Sequence, residues 1–193
     1  MNNSALLALY KRPETVFTMG EIALLFPSVP YANLKKRMSY CVATRALRKL
    51  TKGVYAKDHY DALELANKLY TPSYISLETV LQRAGVTFQY YERIFSVSYL
   101  TRTIEVDGHT IKYRRLPKDV LVNNRGVRQE GNVTIASPER AFLDAVYLYK
   151  NYHFDNLDAL AWDAVMELKT IYPYRAFAKR VEEYYTISKE DHA

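Results

Sequence analysis

The stretch Asn33–Lys57, NLKKRMSYCVATRALRKLTKGVYAK, carries eight lysines and arginines and no aspartate or glutamate. Such a charge run is either a solvated face or a surface for a negatively charged partner. The distribution of charge along the chain favours a partner. Residues 1–58 hold ten Lys and Arg against three Asp and Glu, whereas residues 59–193 hold 17 against 18. The positive excess lies in the first third of the chain, which indicates a separate task and a polyanionic partner.

The apolar positions of this stretch predict a helix followed by a hairpin. Leu34, Met38, Cys41 and Val42 recur at the spacing of one buried helix face, which predicts a helix over Tyr31–Ala43. The pattern then changes, and ALRKL, TKG and VYAK read as a strand, a turn and a second strand. Glycine 53 would supply the positive φ that this turn needs.

Two further helices are expected upstream. The first covers Ser4–Lys11 and the second Phe17–Phe26, where Thr18 and Glu21 have the spacing of a capping box. Prolines at both ends of PSVP, residues 27–30, break the chain before the next helix. Helix, helix, turn, helix and hairpin is the order of a winged helix-turn-helix. PSVP would be its turn, 31–43 its recognition helix and 46–57 its wing.

The rest of the chain predicts a mixed α+β domain with a mainly antiparallel sheet and C-terminal helices. Helices are expected over 61–70 and 76–85, strands between 93 and 116 with a hairpin turn at Asp107-Gly108, and a strand pair before residue 137. Ser137-Pro138-Glu139 has the composition of a helix start. Two more helices are expected near 155–169 and 173–186. We place the domains at 1–58 and 59–193.

The outward side of the predicted recognition helix and the wing are the expected DNA contacts. Polar side chains would meet base edges, and flanking cations would grip phosphates. The expected contacts are Tyr31, Asn33, Lys35, Lys36, Arg37, Ser39 and Tyr40 on the helix, with Arg45, Arg48, Lys49 and Lys52 on the wing. If about six of them neutralise phosphates, the logarithm of the binding constant would fall with the logarithm of salt at a slope of roughly −5.

Three segments together resemble the AbiEi abortive-infection antitoxins, the antitoxin half of type IV toxin–antitoxin systems. They are RALRKLTKGVYAK, YISLETVLQRAGV and VTIASPERAFLDAVYL, and the resemblance covers roughly residues 15–150. It implies a phage-defence protein whose winged helix represses its own operon at double-stranded promoter DNA. The C-terminal domain would neutralise a nucleotidyltransferase-like toxin, which need not be held in a stable complex. The family implies no cofactor.

The second and third of these segments contain five residues that can be interpreted in two ways. Ser76 and Glu78 would open one helix and Glu139 another, while Arg140 and Asp144 have the i, i+4 spacing of a helix-surface ion pair. Each motif is either a structural helix start or a direct contact with a partner.

Nothing in the sequence predicts an enzyme, a metal site or a membrane span. The histidines His59, His109, His153 and His192 lie far apart, and one cysteine excludes a disulfide framework or a Cys-rich zinc site. No apolar run approaches 18 residues and no signal peptide is recognisable, so we expect a cytoplasmic protein. Two alternatives to the antitoxin stay open: a stand-alone regulator with a ligand-binding or dimerisation domain, and an accessory subunit of a nucleic-acid-modifying enzyme. On DNA the protein would be a monomer or a dimer.

Overall fold

A computed structural model describes residues 3–190 and has a mixed α+β architecture. Its helices are α1 (Asn3–Tyr10), α2 (Met19–Leu25), α3 (Tyr31–Ala43), α4 (Ala62–Leu69), α5 (Glu78–Arg83), α6 (Lys118–Leu121), α7 (Pro138–Leu148), α8 (Trp162–Leu168) and α9 (Arg175–Glu190). Its strands are β1 (Val16–Thr18), β2 (Arg48–Thr51), β3 (Val54–Ala56), β4 (Ser73–Ile75), β5 (Ile94–Ser98), β6 (Arg102–Val106), β7 (His109–Arg115), β8 (Val127–Glu130) and β9 (Val133–Ala136). His192, one of the four histidines considered as metal ligands, lies outside the described residues.

The first six elements form a small unit around a three-stranded antiparallel sheet of order β1-β3-β2. The predicted capping box is confirmed, since the Thr18 hydroxyl accepts from the backbone N–H of Glu21 and the Glu21 carboxylate accepts from Thr18 N. Helix α2 is shorter than expected because Phe17 and Thr18 belong to β1, which pairs with β3. Three residues are too few for the alternating pattern to reveal a strand.

Helix α3 has the predicted bounds, and its apolar stripe determines how it packs. Leu34, Met38 and Cys41 are buried and Val42 is partly buried. The hairpin after α3 consists of β2 and β3, and it turns at Gly53, whose φ of +76° is the left-handed conformation that the sequence predicted. The stripe packs into a core cluster with Leu9, Phe17, Met19, Ile22, Leu47 and Tyr55.

The second sheet has six strands in the order β6-β7-β5-β4-β9-β8. Neighbours β4–β5, β6–β7 and β8–β9 run antiparallel, while β5–β7 and β4–β9 run parallel, so the sheet is mixed. The predicted hairpin turn is present, with Asp107 at φ +51° and Gly108 at φ +82°. Ser137 caps α7 as predicted, by accepting from the N–H of Arg140. Strand β4 and helix α6 were not predicted, and the helix expected near 155–169 begins only at Trp162.

The predicted helix start at Ser76 is wrong. Helix α5 begins at Glu78, its N-cap is Leu77 at φ +55°, and no side chain caps it. The Ser76 hydroxyl instead donates to the buried carboxylate of Asp144, 68 residues away. A long-range partner therefore takes the hydroxyl that local sequence rules assign to a cap.

The three-stranded sheet packs on both of its faces, because it lies between two hydrophobic core clusters. Val54 and Ala56 of β3 belong to the main core of the six-stranded region, as does Val16 of β1. Tyr55 of β3 and Phe17 of β1 face the smaller core around α3. Successive strand residues point to opposite faces, which explains this division. The predicted domain limit at residues 58 and 59 stays a prediction.

Polar contacts also join the N-terminal unit to the rest. The Thr15 hydroxyl and N–H both donate to Oε2 of the buried Glu64 at 2.6 and 2.9 Å, and Lys68 forms an ion pair with Glu21. Within residues 3–190, no helix combines the length and apolarity needed to cross a bilayer.

Candidate nucleic-acid interface

Helix α3 and the β2–β3 hairpin enclose an open groove of about 460 Å³. Residues 31, 35 and 39 repeat every four positions, so they lie on one face of α3. From that face Tyr31, Lys35 and Ser39 line the groove, and Lys49 and Lys52 line it from the hairpin. The Lys35 ammonium lies 4.7 Å from the centre of the Tyr31 ring, a cation–π distance. Five of the predicted DNA contacts therefore meet in one concave surface.

The other exposed side of α3 gathers four more of the predicted residues. Asn33, Lys36, Arg37 and Tyr40 line a shallow depression of about 280 Å³. Asn33, Lys36 and Tyr40 are exposed and Arg37 is half-buried. Tyr40 is 56% exposed, so its ring is accessible to a partner.

Most cations of this surface are free to meet an external anion. Six cations of this surface form no ion pair with a carboxylate among the residues that the structure describes. They are Lys35, Lys36, Arg37, Arg45, Lys49 and Lys52. Arg45 is exposed just after α3, at φ +57°. A cluster of unpaired cations without internal counter-charges raises the local positive potential.

Arg48 departs from the prediction because it is turned towards the second sheet. Its Nη2 lies 2.7 Å from Oδ1 of Asp107, at the tip of the β6–β7 hairpin. The Tyr60 hydroxyl donates to the other oxygen of Asp107 at 2.6 Å, and the Arg48 guanidinium lies 5.7 Å from the Tyr60 ring. The guanidinium expected at a phosphate thus has a carboxylate and an aromatic face as its partners.

Tyr55 and Met19 also line the groove, and neither was among the predicted contacts. For Tyr55 the sequence held a usable signal. Lys49 and Tyr55 are directly paired across the hairpin. Because paired residues of two antiparallel strands share a face, assigning Lys49 to the groove implies Tyr55. Burial raises the pKa of the Tyr55 phenol.

The second set of predicted residues forms a buried network instead of a surface. Ser76, Arg140 and Asp144 have no exposed surface. The Asp144 carboxylate accepts from Ser76 Oγ at 2.7 Å, from Tyr172 OH at 2.5 Å and from Tyr74 OH at 3.0 Å. The expected helix-surface pair of Arg140 and Asp144 exists, with Nε and Oδ1 3.4 Å apart, but it lies in the core.

Arg140 fastens helix α6 and the segment between α6 and β8 to helix α7. Its guanidinium donates to the carbonyl oxygens of Val120 at 2.7 Å, Arg125 at 2.8 Å and Asn123 at 3.2 Å. Although burial by itself lowers it, the pKa of Arg140 is raised by the adjacent Asp144 carboxylate. Burial raises the pKa of Asp144, while Arg140 and the hydroxyl donors favour its ionised form. A residue so enclosed holds the fold together and cannot touch a partner.

The two glutamates of these motifs are also engaged within the protein. Glu78 is only 6% exposed, accepts from Tyr149 OH at 3.2 Å, and has its pKa raised by burial. Glu139 accepts from the backbone N–H of Ala161 at 3.3 Å, at the start of α8. All five motif residues therefore have structural partners, which favours the structural interpretation that the sequence left open.

Metal-binding clusters are not found in the described part of the chain. Within residues 3–190, no three His, Cys, Asp or Glu side chains lie together as a metal ion would require. Cys41 lies on the buried face of α3, and burial raises the pKa of its thiol. In comparisons with known proteins, no protein-family model and no curated protein matches this chain.

Proposed function

We propose that residues 1–58 act as a winged helix-turn-helix that binds double-stranded DNA, with α3 as recognition helix and the β2–β3 hairpin as wing. The observation that carries this proposal is the groove between α3 and the hairpin. Tyr31, Lys35 and Ser39 meet Lys49 and Lys52 there, and none of these lysines has a carboxylate partner in residues 3–190. A basic, concave and aromatic-lined surface has the chemistry that a phosphate backbone needs.

The dimensions of α3 fit such a role. Thirteen residues give a helix of about 20 Å, and the major groove of B-DNA, about 12 Å wide, admits one helix. Asn33 and Tyr40 would face base edges, because both are exposed on the side that leads away from the core. Lys36 and Arg37 beside them, with Lys49 and Lys52 on the hairpin, would hold the phosphates.

We further propose that the whole chain is an antitoxin of the AbiEi kind, which represses its own operon and neutralises a nucleotidyltransferase-like toxin. Support for this second role comes from the three sequence segments that resemble the family. The buried network of Ser76, Arg140 and Asp144 gives two of these segments a shared task, since it ties β4 and α7 into one core. Contact with a toxin would then fall to exposed residues of the second region.

DNA binding is tested with the full chain and a duplex taken from upstream of its own gene. Lys36→Glu with Arg37→Glu should abolish binding in a fluorescence anisotropy titration, because two phosphate contacts become repulsive. Arg93→Glu with Lys118→Glu is the matched control: both residues are exposed, lie outside the groove, and change the net charge equally. An equal loss of affinity in both double variants would remove α3 from the interface.

Toxin neutralisation is tested by co-expression. The full chain should restore growth when a nucleotidyltransferase-like protein encoded beside it is induced. The Lys36→Glu, Arg37→Glu variant should restore growth equally well, because the second region is unchanged. If the unaltered chain fails to restore growth, the antitoxin role is wrong, whatever the DNA titration shows.

A further inference from the structure

A second, smaller pocket lies in the six-stranded region, far in sequence from the DNA surface. It has a volume of about 260 Å³, and we call it the Asp155 pocket. Its walls are the loop after α5 and the segment before α8, which contribute Thr87, Phe88, Gln89, Tyr91, Tyr152 and Asp155. Backbone bonds join the two walls: Asp155 N and Asn156 N both donate to Val86 O, at 3.0 and 3.1 Å. The pocket is therefore held in shape by the fold.

The lining is aromatic and acidic. Three rings contribute, from Phe88, Tyr91 and Tyr152, and the formal negative charge is that of Asp155. No lysine or arginine is among the lining side chains, but His153 also lines the pocket, with its Nε2 3.6 Å from Asp155 Oδ1. Asp155 Oδ2 accepts from the N–H of Phe88 at 2.7 Å, and Oδ1 accepts no hydrogen bond from the described residues, so a ligand would compete there only with the exposed His153 ring. Aromatic faces beside a carboxylate favour a cation.

Thr87 gives an independent sign that a donor belongs in this pocket. The residue is 3% exposed, and its Oγ1 has no hydrogen-bond partner within the described chain. A buried hydroxyl left unpaired is costly, so folded proteins rarely keep one without a reason. Thr87 lines the pocket, and a rotation of its side chain would bring this shielded oxygen to an N–H group that entered there.

Three charged residues behind the lining also contribute to the electrostatic potential of the pocket. Glu78 is buried, and its Oε2 has no partner in the described residues. Lys112 and Arg114 act on Glu78 electrostatically and partly balance it. Those two cations lie against other rings, with Lys112 Nζ 5.5 Å from the centre of Phe95 and the Arg114 guanidinium 4.8 Å from that of Tyr149. At the pocket itself the charge of Asp155 prevails.

Size and surroundings decide what kind of cation fits. Pockets for drug-sized molecules span roughly 300–1,000 Å³, so about 260 Å³ suits a single side chain better than a whole ligand. Phe88 and Tyr90 on the adjoining loop are 70% and 73% exposed. Exposed aromatic residues around a small pocket are typical of the anchoring points of protein–protein interfaces.

We propose that the Asp155 pocket receives an arginine or lysine side chain of a protein partner. The guanidinium or ammonium group would donate to Asp155 Oδ1 and Thr87 Oγ1 and lie against the rings of Tyr91 and Tyr152. Phe88 and Tyr90 would cover the flanking residues of the partner. The pocket keeps this role whether or not residues 1–58 bind DNA.

The test titrates the ¹⁵N-labelled full chain with a blocked Gly-Arg-Gly peptide and follows backbone amide shifts. We expect saturable shifts at Thr87, Phe88 and Asp155, with a Kd on the order of 1 mM for one side chain. The same peptide with citrulline in place of arginine has the shape without the charge, and should bind at least about tenfold more weakly. Free agmatine should bind no more tightly than the arginine peptide.

Two variants and one control tie the shifts to the pocket. Asp155→Asn keeps an acceptor for the Phe88 N–H but loses the charge, and Phe88→Ala removes an exposed ring; each should weaken binding about tenfold. Glu92→Gln removes an exposed carboxylate of the same loop, outside the lining, and should change nothing. Absent shifts, equal binding of the citrulline peptide, or loss in Glu92→Gln alone would overturn the proposal. Agmatine binding a hundredfold tighter than the peptide would overturn the assignment to a protein partner.

Discussion

Removing the charge of Asp107 should strengthen binding of the protein to DNA. Asp107 holds the Arg48 guanidinium at 2.7 Å, away from the six unpaired cations around α3 and the hairpin. Asp107→Asn conserves the turn, since asparagine tolerates the observed φ of +51°, and it can still accept from Tyr60. The variant therefore frees Arg48 as a seventh cation with little disturbance to the backbone.

The expected gain can be worked from counterion release. Six phosphate contacts give a slope of roughly −5 for the logarithm of the binding constant against that of salt, and seven give roughly −6. Between 50 and 200 mM salt, one additional contact makes the loss of affinity about threefold larger. At low salt, Asp107→Asn should accordingly bind more tightly than the unaltered protein.

The assay is fluorescence anisotropy with one duplex across a salt series. Glu105→Gln is the control, because it removes one exposed carboxylate from the same hairpin, and Glu105 has no ion-pair partner within residues 3–190. Only Asp107→Asn should steepen the slope, and the effect should vanish when Arg48→Gln is added. Equal slopes for Asp107→Asn and Glu105→Gln would refute the release of Arg48 as the cause.

Three further predictions concern stability, each measured by urea denaturation. Thr18→Ala should cost about 1 kcal/mol, because it removes one half of the capping box; no loss would mean that the cap does not stabilise α2. Arg140→Met should cost about 3–5 kcal/mol, since it leaves Asp144 buried without its cation, whereas Arg128→Met at the surface should cost little. Burial raises the folded-state pKa of Glu78 above the unfolded value of about 4.3, so the folded protein binds a proton more readily. Ionisation of Glu78 should therefore lower stability as the pH rises from about 4.3 through the raised pKa, and in Glu78→Gln this decrease should be absent; an unchanged pH profile would contradict it.

Local signals predicted much of the fold. The capping box at Thr18, the turn at Gly53, the hairpin at Asp107-Gly108 and the cap at Ser137 each depend on residues within four positions of one another. Helix α3 was predicted at its observed bounds because a proline precedes it and its apolar stripe is regular. In all these cases the backbone conformation is determined by chemistry that a short window contains.

Rules based on short sequence windows do not predict contacts between residues that lie far apart in the chain. Ser76 meets Asp144 across 68 residues, and Arg48 meets Asp107 across 59. Sequence periodicity indicates that a helix face is buried or exposed, but not which element covers it. Arg140 was expected at the surface for that reason: an i, i+4 ion pair has the same spacing in water as in a core. The three-residue strands β1 and β4 were missed because alternation needs a longer run and, unlike the equally short β3, neither follows a glycine turn.

The strands between the two cores give the molecule a direct physical connection between its regions. Tyr55 of β3 lines the basic groove, while Val54 and Ala56 on either side of it pack into the core of the six-stranded region. Arg48, on the neighbouring strand, is held by Asp107 of that region. Because packed cores resist continuous deformation, the position of the hairpin is set jointly by its own core and by the second region. A partner that displaced the β6–β7 hairpin would thus alter both the charge and the position of the proposed DNA surface.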